Sequence, residues 1–489
     1  MAEPQVFEDA AQDAQEEDAP LIQDGDREPD SKRCSSVSSL RQYQVYRRRW
    51  FYLAVVCLIN SSNAMLWISF APVANLTASY FNCSLDTVNY LALVYVIVSI
   101  PIGFVASWLL DTLGLRYAVI ISSWLNMLGS IVRGASAIEL LNTGNSKLYY
   151  LFVGQCICAV AQPLVLFVPA KLAAVWFPEH QRATANMIAS MSNPFGIFLA
   201  NILSPVIVSK AEQIPILHGV YGIPAVLACT LATAGFTKRA PPTPPSASAH
   251  NSTSEPFFSG LKQLMKNKAY IVLMICFGTG LGVFTAFSTF LEQILCFKDY
   301  SNFISGLCGA LFILFGAVGA LLCGLYVDRT KKFTEVVKIS FVMSALTITV
   351  FAVVSNLRNQ TVLLVIICSL LGFFGFANYP IAMELAVECS YPVGEGSSTG
   401  LAFISGQVQG LIFMMLLQLL AKPYAATSLS ACGTSQTEIY DWSLSSLVMA
   451  GVCSIGACIF VTFFHTDYKR LKAEAKSDED GNGHDTNST

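Results

Sequence analysis

The chain has 489 residues, 54% of them hydrophobic and 12% charged, with a formal net charge of −3. A soluble domain carries about 25% charged residues, so this composition excludes a soluble enzyme built on one packed core and points to many membrane spans. The 15 cysteines lie mostly inside apolar runs, which argues against a secreted disulfide framework.

Residues 1–44 are rich in Asp, Glu, Gln and Ser and read as a disordered cytosolic tail. The acidic start has no basic segment leading into an apolar core, so it does not read as a cleaved signal peptide. Within it, Glu17 stands four residues before Leu21 and Ile22. That spacing resembles the acidic dileucine signal read by endosomal and lysosomal sorting adaptors.

Arg47, Arg48 and Arg49, followed by Trp50, form a basic and aromatic collar before the first apolar run. The positive-inside rule keeps such a collar in the cytosol. A span needs roughly 20 apolar residues. Runs of that length are predicted at 50–74, 88–110, 116–138, 148–171, 183–208 and 217–237, then at 269–295, 304–327, 335–355, 361–385, 396–420 and 442–464. The reading is therefore an all-α membrane protein of twelve helices in two six-helix bundles, 45–237 and 269–466. Residues 238–268, with Pro241-Pro-Thr-Pro-Pro245, read as a cytosolic linker unable to pack a core, and 467–489 as a cytosolic tail. Cations cluster at one set of loops, so both termini are expected in the cytosol.

On the opposite loops the sequons at Asn75, Asn82 and Asn359 are candidate glycosylation sites, whereas those at Asn60, Asn251 and Asn487 should be silent. Cys296 and Cys432 also fall on those loops, where they are either bonded to each other or free.

Two stretches echo one another. Ser99, Gly103, Ser107 and Asp111 fall every fourth residue, as do Gly316, Ala320, Gly324 and Asp328, at a constant offset of 217 (328 − 111). Such a spacing puts small side chains on one helix face, where backbones can approach closely in a bilayer. Each stretch ends in a carboxylate where the apolar run meets water.

Ser107-Trp-Leu-Leu-Asp111-Thr-Leu-Gly114-Leu-Arg116 resembles the signature loop of the major facilitator superfamily, and Gly324-Leu-Tyr-Val-Asp328-Arg329 resembles its second copy. Ser107, Leu115 and Lys331 depart from that pattern. The resemblance implies secondary transport by alternating access, with Asp111, Gly114, Arg116, Arg182, Asp328 and Arg329 as gating residues. Arg182 is the cytosolic cation of a second correspondence, Pro178 to Gly196 with Pro392 to Gly410. Tyr46-Arg-Arg-Arg-Trp50, Asn63-Ala-Met-Leu-Trp67 and Lys171-Leu-Ala-Ala-Val-Trp-Phe177 look like solute carrier family 49, which includes the feline leukaemia virus subgroup C receptors. Choline and ethanolamine transport, and proposed haem export, belong to that family.

The family's choline site, by this resemblance, uses a Trp of the first helix, a Tyr of the seventh and nearby Gln side chains. Trp67, Gln162 and Gln407 match, whereas Thr285 replaces the Tyr and Glu292 stands where relatives have Asn. A carboxylate inside a span usually faces a cavity or a partner. Glu292 could bind a cationic substrate, carry a coupling proton, or pair with Arg133 or Lys171. Asn63, one turn from Trp67, is a further candidate, while Asn126, Asn193 and Asn378 read as hydrogen-bond glue between helices. The substrate expected is a small amine or ammonium compound. A haem, another metabolite, or a non-transporting receptor on the same fold are the alternatives. No phosphate-binding loop, metal-ligand pair or catalytic triad is present in the sequence, so no enzyme activity, cofactor, metal or nucleic-acid partner is expected.

Overall fold

The computed structural model describes residues 45–138, 146–238, 240–243, 257–390, 393, 395–424 and 439–469. The Glu17, Leu21 and Ile22 motif and Cys432 lie outside them. Fourteen α-helices are described: α1 Arg48–Ile68, α2 Ala74–Phe81, α3 Leu85–Thr112, α4 Leu115–Ala135, α5 Ser146–Trp176, α6 Glu179–Ile207, α7 Ile214–Gly235, α8 Phe257–Leu264, α9 Lys268–Cys296, α10 Asn302–Thr330, α11 Phe333–Val354, α12 Thr361–Ser390, α13 Glu395–Leu420 and α14 Ser443–Phe463. Twelve segments are long and apolar enough to cross a membrane, each matching one predicted run. Six precede α8 and six follow it. The even number of passes brings both ends of the described chain to one face, called the near face below.

Local chemistry sets the helix boundaries. Pro72 has no N–H to give to Ile68 and its ring crowds that carbonyl, so α1 stops at Ile68 and a 3-10 turn, Ala71–Val73, leads into α2. The first span therefore runs on to Phe81 rather than ending near 74. Ser84 caps α3 by accepting from the Thr87 N–H, and Ser301 caps α10 by accepting from Ile304. Gly114 turns the chain from α3 into α4 at φ 79°, where a side chain would be strained. Pro178 separates α5 from α6.

Two departures from expectation concern the connections. Part of the expected linker is helical: α8 tucks Leu264 into the core beside Tyr270, Leu385 and Val393, because its apolar side chains fall on one face. A two-stranded antiparallel ribbon, β1 Lys422–Tyr424 with β2 Ile439–Asp441, crosses the far face.

Lipid offers helices little hydrophobic reason to associate, so close packing and buried polar contacts must hold them together. A Cβ on Gly154 of α5 would sit 2.6 Å from the Arg133 backbone nitrogen of α4. Asn63 of α1 donates to Asn126 of α4 at 2.9 Å and to the Cys158 carbonyl of α5 at 3.1 Å. Asn63 thus ties α1 to α4 and α5 through its Nδ2.

The halves meet along paired crossings, α3 against α13 and α10 against α6. On the far face, side chains tie them directly. Asn89 of α3 and Gln293 of α9 exchange two hydrogen bonds. Gln418 of α13 donates to Asp86 of α3 at 2.7 Å, and Asn302 of α10 donates to Asn75 of α2 at 2.9 Å.

Candidate substrate site

Between the halves, at mid-span, lies a cavity with about 70 Å³ of space reachable by the centre of a water molecule. By that measure one water needs about 10–15 Å³, so several waters or one small solute fit. The N-terminal half supplies α1, α3, α5 and α6; the C-terminal half supplies α9, α12 and α13.

Proline shapes this wall. Pro169 of α5 cannot donate to the Val165 carbonyl, and Asn60 of α1 donates its Nδ2 there instead, at 3.2 Å. Pro194 interrupts α6 in the same way at the cavity edge. Irregular backbone at membrane depth is tolerated where it lines a cavity or is met by side chains.

Trp67, Gln162, Thr285 and Gln407 all line this cavity. Trp67 is the penultimate residue of α1, buried, with its indole N–H directed to the Ala92 carbonyl at 3.4 Å. Below its helix end, buried Arg133 donates to the Leu66 carbonyl at 2.6 Å and to Ser69 Oγ at 2.7 Å, with its guanidinium 4.7 Å from the Phe70 ring. That cation meets the negative end of α1 and fixes the turn that presents Trp67. The Gln162 side-chain oxygen accepts from Ser99 Oγ at 2.7 Å, which turns its NH₂ group away from Ser99. The Gln407 amide makes no hydrogen bond to the described residues.

Glu292 and Asn63 do not line the cavity. Glu292 is seven residues beyond Thr285 on α9, about 10 Å along the axis toward the far face. It is buried there, its carboxylate meeting the Asn75 backbone N–H, with Oε1 3.3 Å from the Cys296 sulfur. Cys296 is disulfide-bonded, so its sulfur has no proton to donate. The guanidinium of Arg133 is engaged elsewhere, and among the described residues Glu292 forms no salt bridge. A direct contact between Glu292 and a solute in this cavity does not follow from the arrangement.

Residues that the sequence did not assign to the site complete the wall, Asn193 among them although it reads there as glue between helices. Tyr379 of α12 joins a ladder of rings: Phe284 to Phe376 at 5.4 Å, Phe376 to Tyr379 at 5.8 Å and Tyr379 to Phe403 at 5.6 Å. Asn193 Nδ2 and Asn60 Oδ1 are buried without a hydrogen-bond partner among the described residues, and both residues line the cavity. An unmet buried polar atom is costly, so these two would gain from a partner beyond the described residues. None of the lining residues is an Asp, Glu, Lys, Arg or His. The site therefore presents aromatic faces and amides, without formal charge.

The expected gating residues fall where the halves' helices end. Asp111 lies in the last turn of α3, Gly114 caps α4 and Arg116 opens it. Asp328 and Arg329 end α10, and Arg182 is in the first turn of α6. Of the three sequons, Asn82 and Asn359 are exposed, both at positive φ. Asn75 is buried in α2, and its side-chain oxygen accepts from Asn302.

Residues 56–414 match the Major Facilitator Superfamily. The chain is 65% identical to Solute carrier family 49 member A3 of Xenopus tropicalis, over 91% of this chain and 93% of that protein. It is 31% identical to the Choline/ethanolamine transporter FLVCR1 of Felis catus, over 77% of this chain and 69% of that protein. Among solved structures, a D-xylose-proton symporter superposes with a TM-score of 0.69 at 11% identity, covering 85% of this chain and 98% of that one.

Proposed function

The chain belongs to the major facilitator superfamily and, within it, to solute carrier family 49; on that premise we propose that it carries a small organic amine or ammonium compound across a membrane by alternating access. The observation that carries this reading is the wall of the central cavity: Trp67 from one half and Phe284, Phe376, Tyr379 and Phe403 from the other, with amides between them and no charged side chain. A quaternary ammonium has no ordinary hydrogen bond to donate. It is attracted by the negative faces of aromatic rings, most strongly by Trp. The amides of Asn60, Gln162, Asn193 and Gln407 can then meet a hydroxyl or an amine N–H. Relatives that are choline/ethanolamine transporters support this chemical class. Tyr379, from a different helix, offers the ring that Thr285 does not.

A haem suits the site less well. Its rigid ring system is far larger than the cavity, and its carboxylates would meet no cation in the wall. Glu292 is better read as part of the far-face closure than as the substrate's counter-charge, since its neighbours are Asn75 and Cys296. Asp111 and Asp328, at helix ends of the two halves, are read as the near-face gate, with Gly114, Arg116, Arg182 and Arg329 around them.

The near face is assigned to the cytosol, from Arg47, Arg48, Arg49 and the basic loops. The membrane is the plasma membrane or an endolysosomal one. Leu21→Ala with Ile22→Ala should move the protein to the cell surface if the dileucine motif is read, and an unchanged distribution would discard it.

Equilibrium binding of tetramethylammonium, choline and ethanolamine to the purified chain tests the substrate class. Binding of at least one, competed by the others, supports it. Absence of binding by all three would overturn it.

A further inference from the structure

A second cavity adjoins the first inside the C-terminal half, among α9, α10, α11, α12 and α14. It offers about 90 Å³ by the same measure, and its wall is almost wholly apolar, with Phe287, Phe312, Phe341 and Ile348 prominent. Leu281, Phe284, Phe376 and Tyr379 line both cavities, so the two spaces meet at these side chains.

Three glycines from three helices border this space: Gly280 of α9, Gly375 of α12 and Gly456 of α14. Glycine inside a helix costs about 1 kcal/mol relative to alanine, and in membrane helices its usual return is close backbone approach. That return is absent here. A Cβ at these positions would meet its nearest neighbour only at 3.8, 3.8 and 3.6 Å, ordinary contact distances. At Gly282, a neighbouring α9 position, it would sit 2.8 Å from Phe413. The three glycines therefore hold space open rather than bring helices together. One polar atom faces the same region: Asn378 Oδ1, in a residue only 7% exposed, has no hydrogen-bond partner among the described residues. Apolar surface in such a wall gains from contact with an apolar occupant, and an unmet buried acceptor gains from a donor.

We propose that the substrate is an amphiphile whose ammonium or amine head sits in the central cavity and whose apolar tail occupies this second one. A hydroxyl or amide N–H near the junction would donate to Oδ1 of Asn378, which is next to Tyr379 in sequence. The inference rests on the ammonium reading of the central cavity, and it adds the tail.

The test is binding of a series of N-alkyl-N,N-dimethylethanolammonium ions to the full chain in detergent, from methyl (choline) to octyl. Each added methylene that enters the second cavity should lower Kd about fourfold, by the transfer energy of a buried CH₂, until the cavity is full. Gly280→Ala with Gly375→Ala and Gly456→Ala fills the space with side chains that helices favour. This variant should bind choline as the parent does and lose the gain with chain length. Ser344→Leu, filling the cavity from α11, should do the same independently. A Kd that does not change along the series, or a gain that survives both fillings, would overturn the tail site while leaving the head site standing. Failure of every member to bind, choline included, would overturn both readings together.

Discussion

Replacing Trp67 separates attraction for a charge from mere filling of space. The residue is 7% exposed and lines a cavity without charged groups, so a bound cation there is largely desolvated. A cation over an indole in that setting is stabilised by about 2 kcal/mol, or roughly 30-fold in Kd. Trp67→Leu removes the ring, whereas Trp67→Phe keeps a weaker face worth about 1 kcal/mol, roughly fivefold. Both variants lose the long hydrogen bond to the Ala92 carbonyl, so that loss cancels between them. The assay is competition binding of choline against 3,3-dimethylbutanol, its neutral isostere of nearly equal shape. The parent should prefer choline, Trp67→Phe should retain part of that preference, and Trp67→Leu should lose most of it. Equal weakening of both compounds in Trp67→Leu would refute a cation–π role and leave Trp67 as packing.

Asp111→Asn and Asp328→Asn should each slow transport at least tenfold while ligand binding stays within about twofold; normal flux in both, at equal surface amounts, removes them from the gate. Asn89→Ala with Gln293→Ala deletes a reciprocal hydrogen-bonded pair across the far face. At about 1 kcal/mol net for each of the two bonds this should raise labelling of a cysteine at position 285 by an impermeant far-face reagent up to roughly 30-fold, and unchanged labelling means that the pair does not hold the halves closed. Asn82→Gln and Asn359→Gln should each remove one glycan step on a gel and Asn75→Gln none; a shift with Asn75→Gln contradicts its burial, and no shift with the other two contradicts the assigned orientation.

The bilayer makes the spans legible, because only a long apolar helix or a closed barrel can satisfy its backbone there. The same uniform hydrophobicity hides which side of each helix faces the cavity. Tyr379, Phe284 and Phe376 look like any other apolar-span residues until α9 and α12 are packed together. Asn193 and Asn378 share a composition with Asn126, yet only Asn126 finds its partners within the bundle. Trp67, Gln162, Thr285 and Gln407 were readable through family resemblance, and the cavity gathers all four. The charge of Glu292 is visible in the sequence, but its depth in the bundle is not. Its place two turns above Thr285 puts it toward the far face, beside Asn75 and Cys296. Asn63 lies one turn from Trp67, but α1 turns that position into the crossing with α4 and α5.

Net flux through the purified chain in sealed proteoliposomes tests the central claim most directly. Radiolabelled choline, ethanolamine and a longer N-alkyl homologue are placed outside, and accumulation is followed against protein-free vesicles. The account expects time-dependent, saturable uptake of at least one of them, strongly reduced by Trp67→Leu and by Asp111→Asn. Saturable binding to the same vesicles without any uptake would contradict it, and would make this chain a receptor built on a transporter's fold.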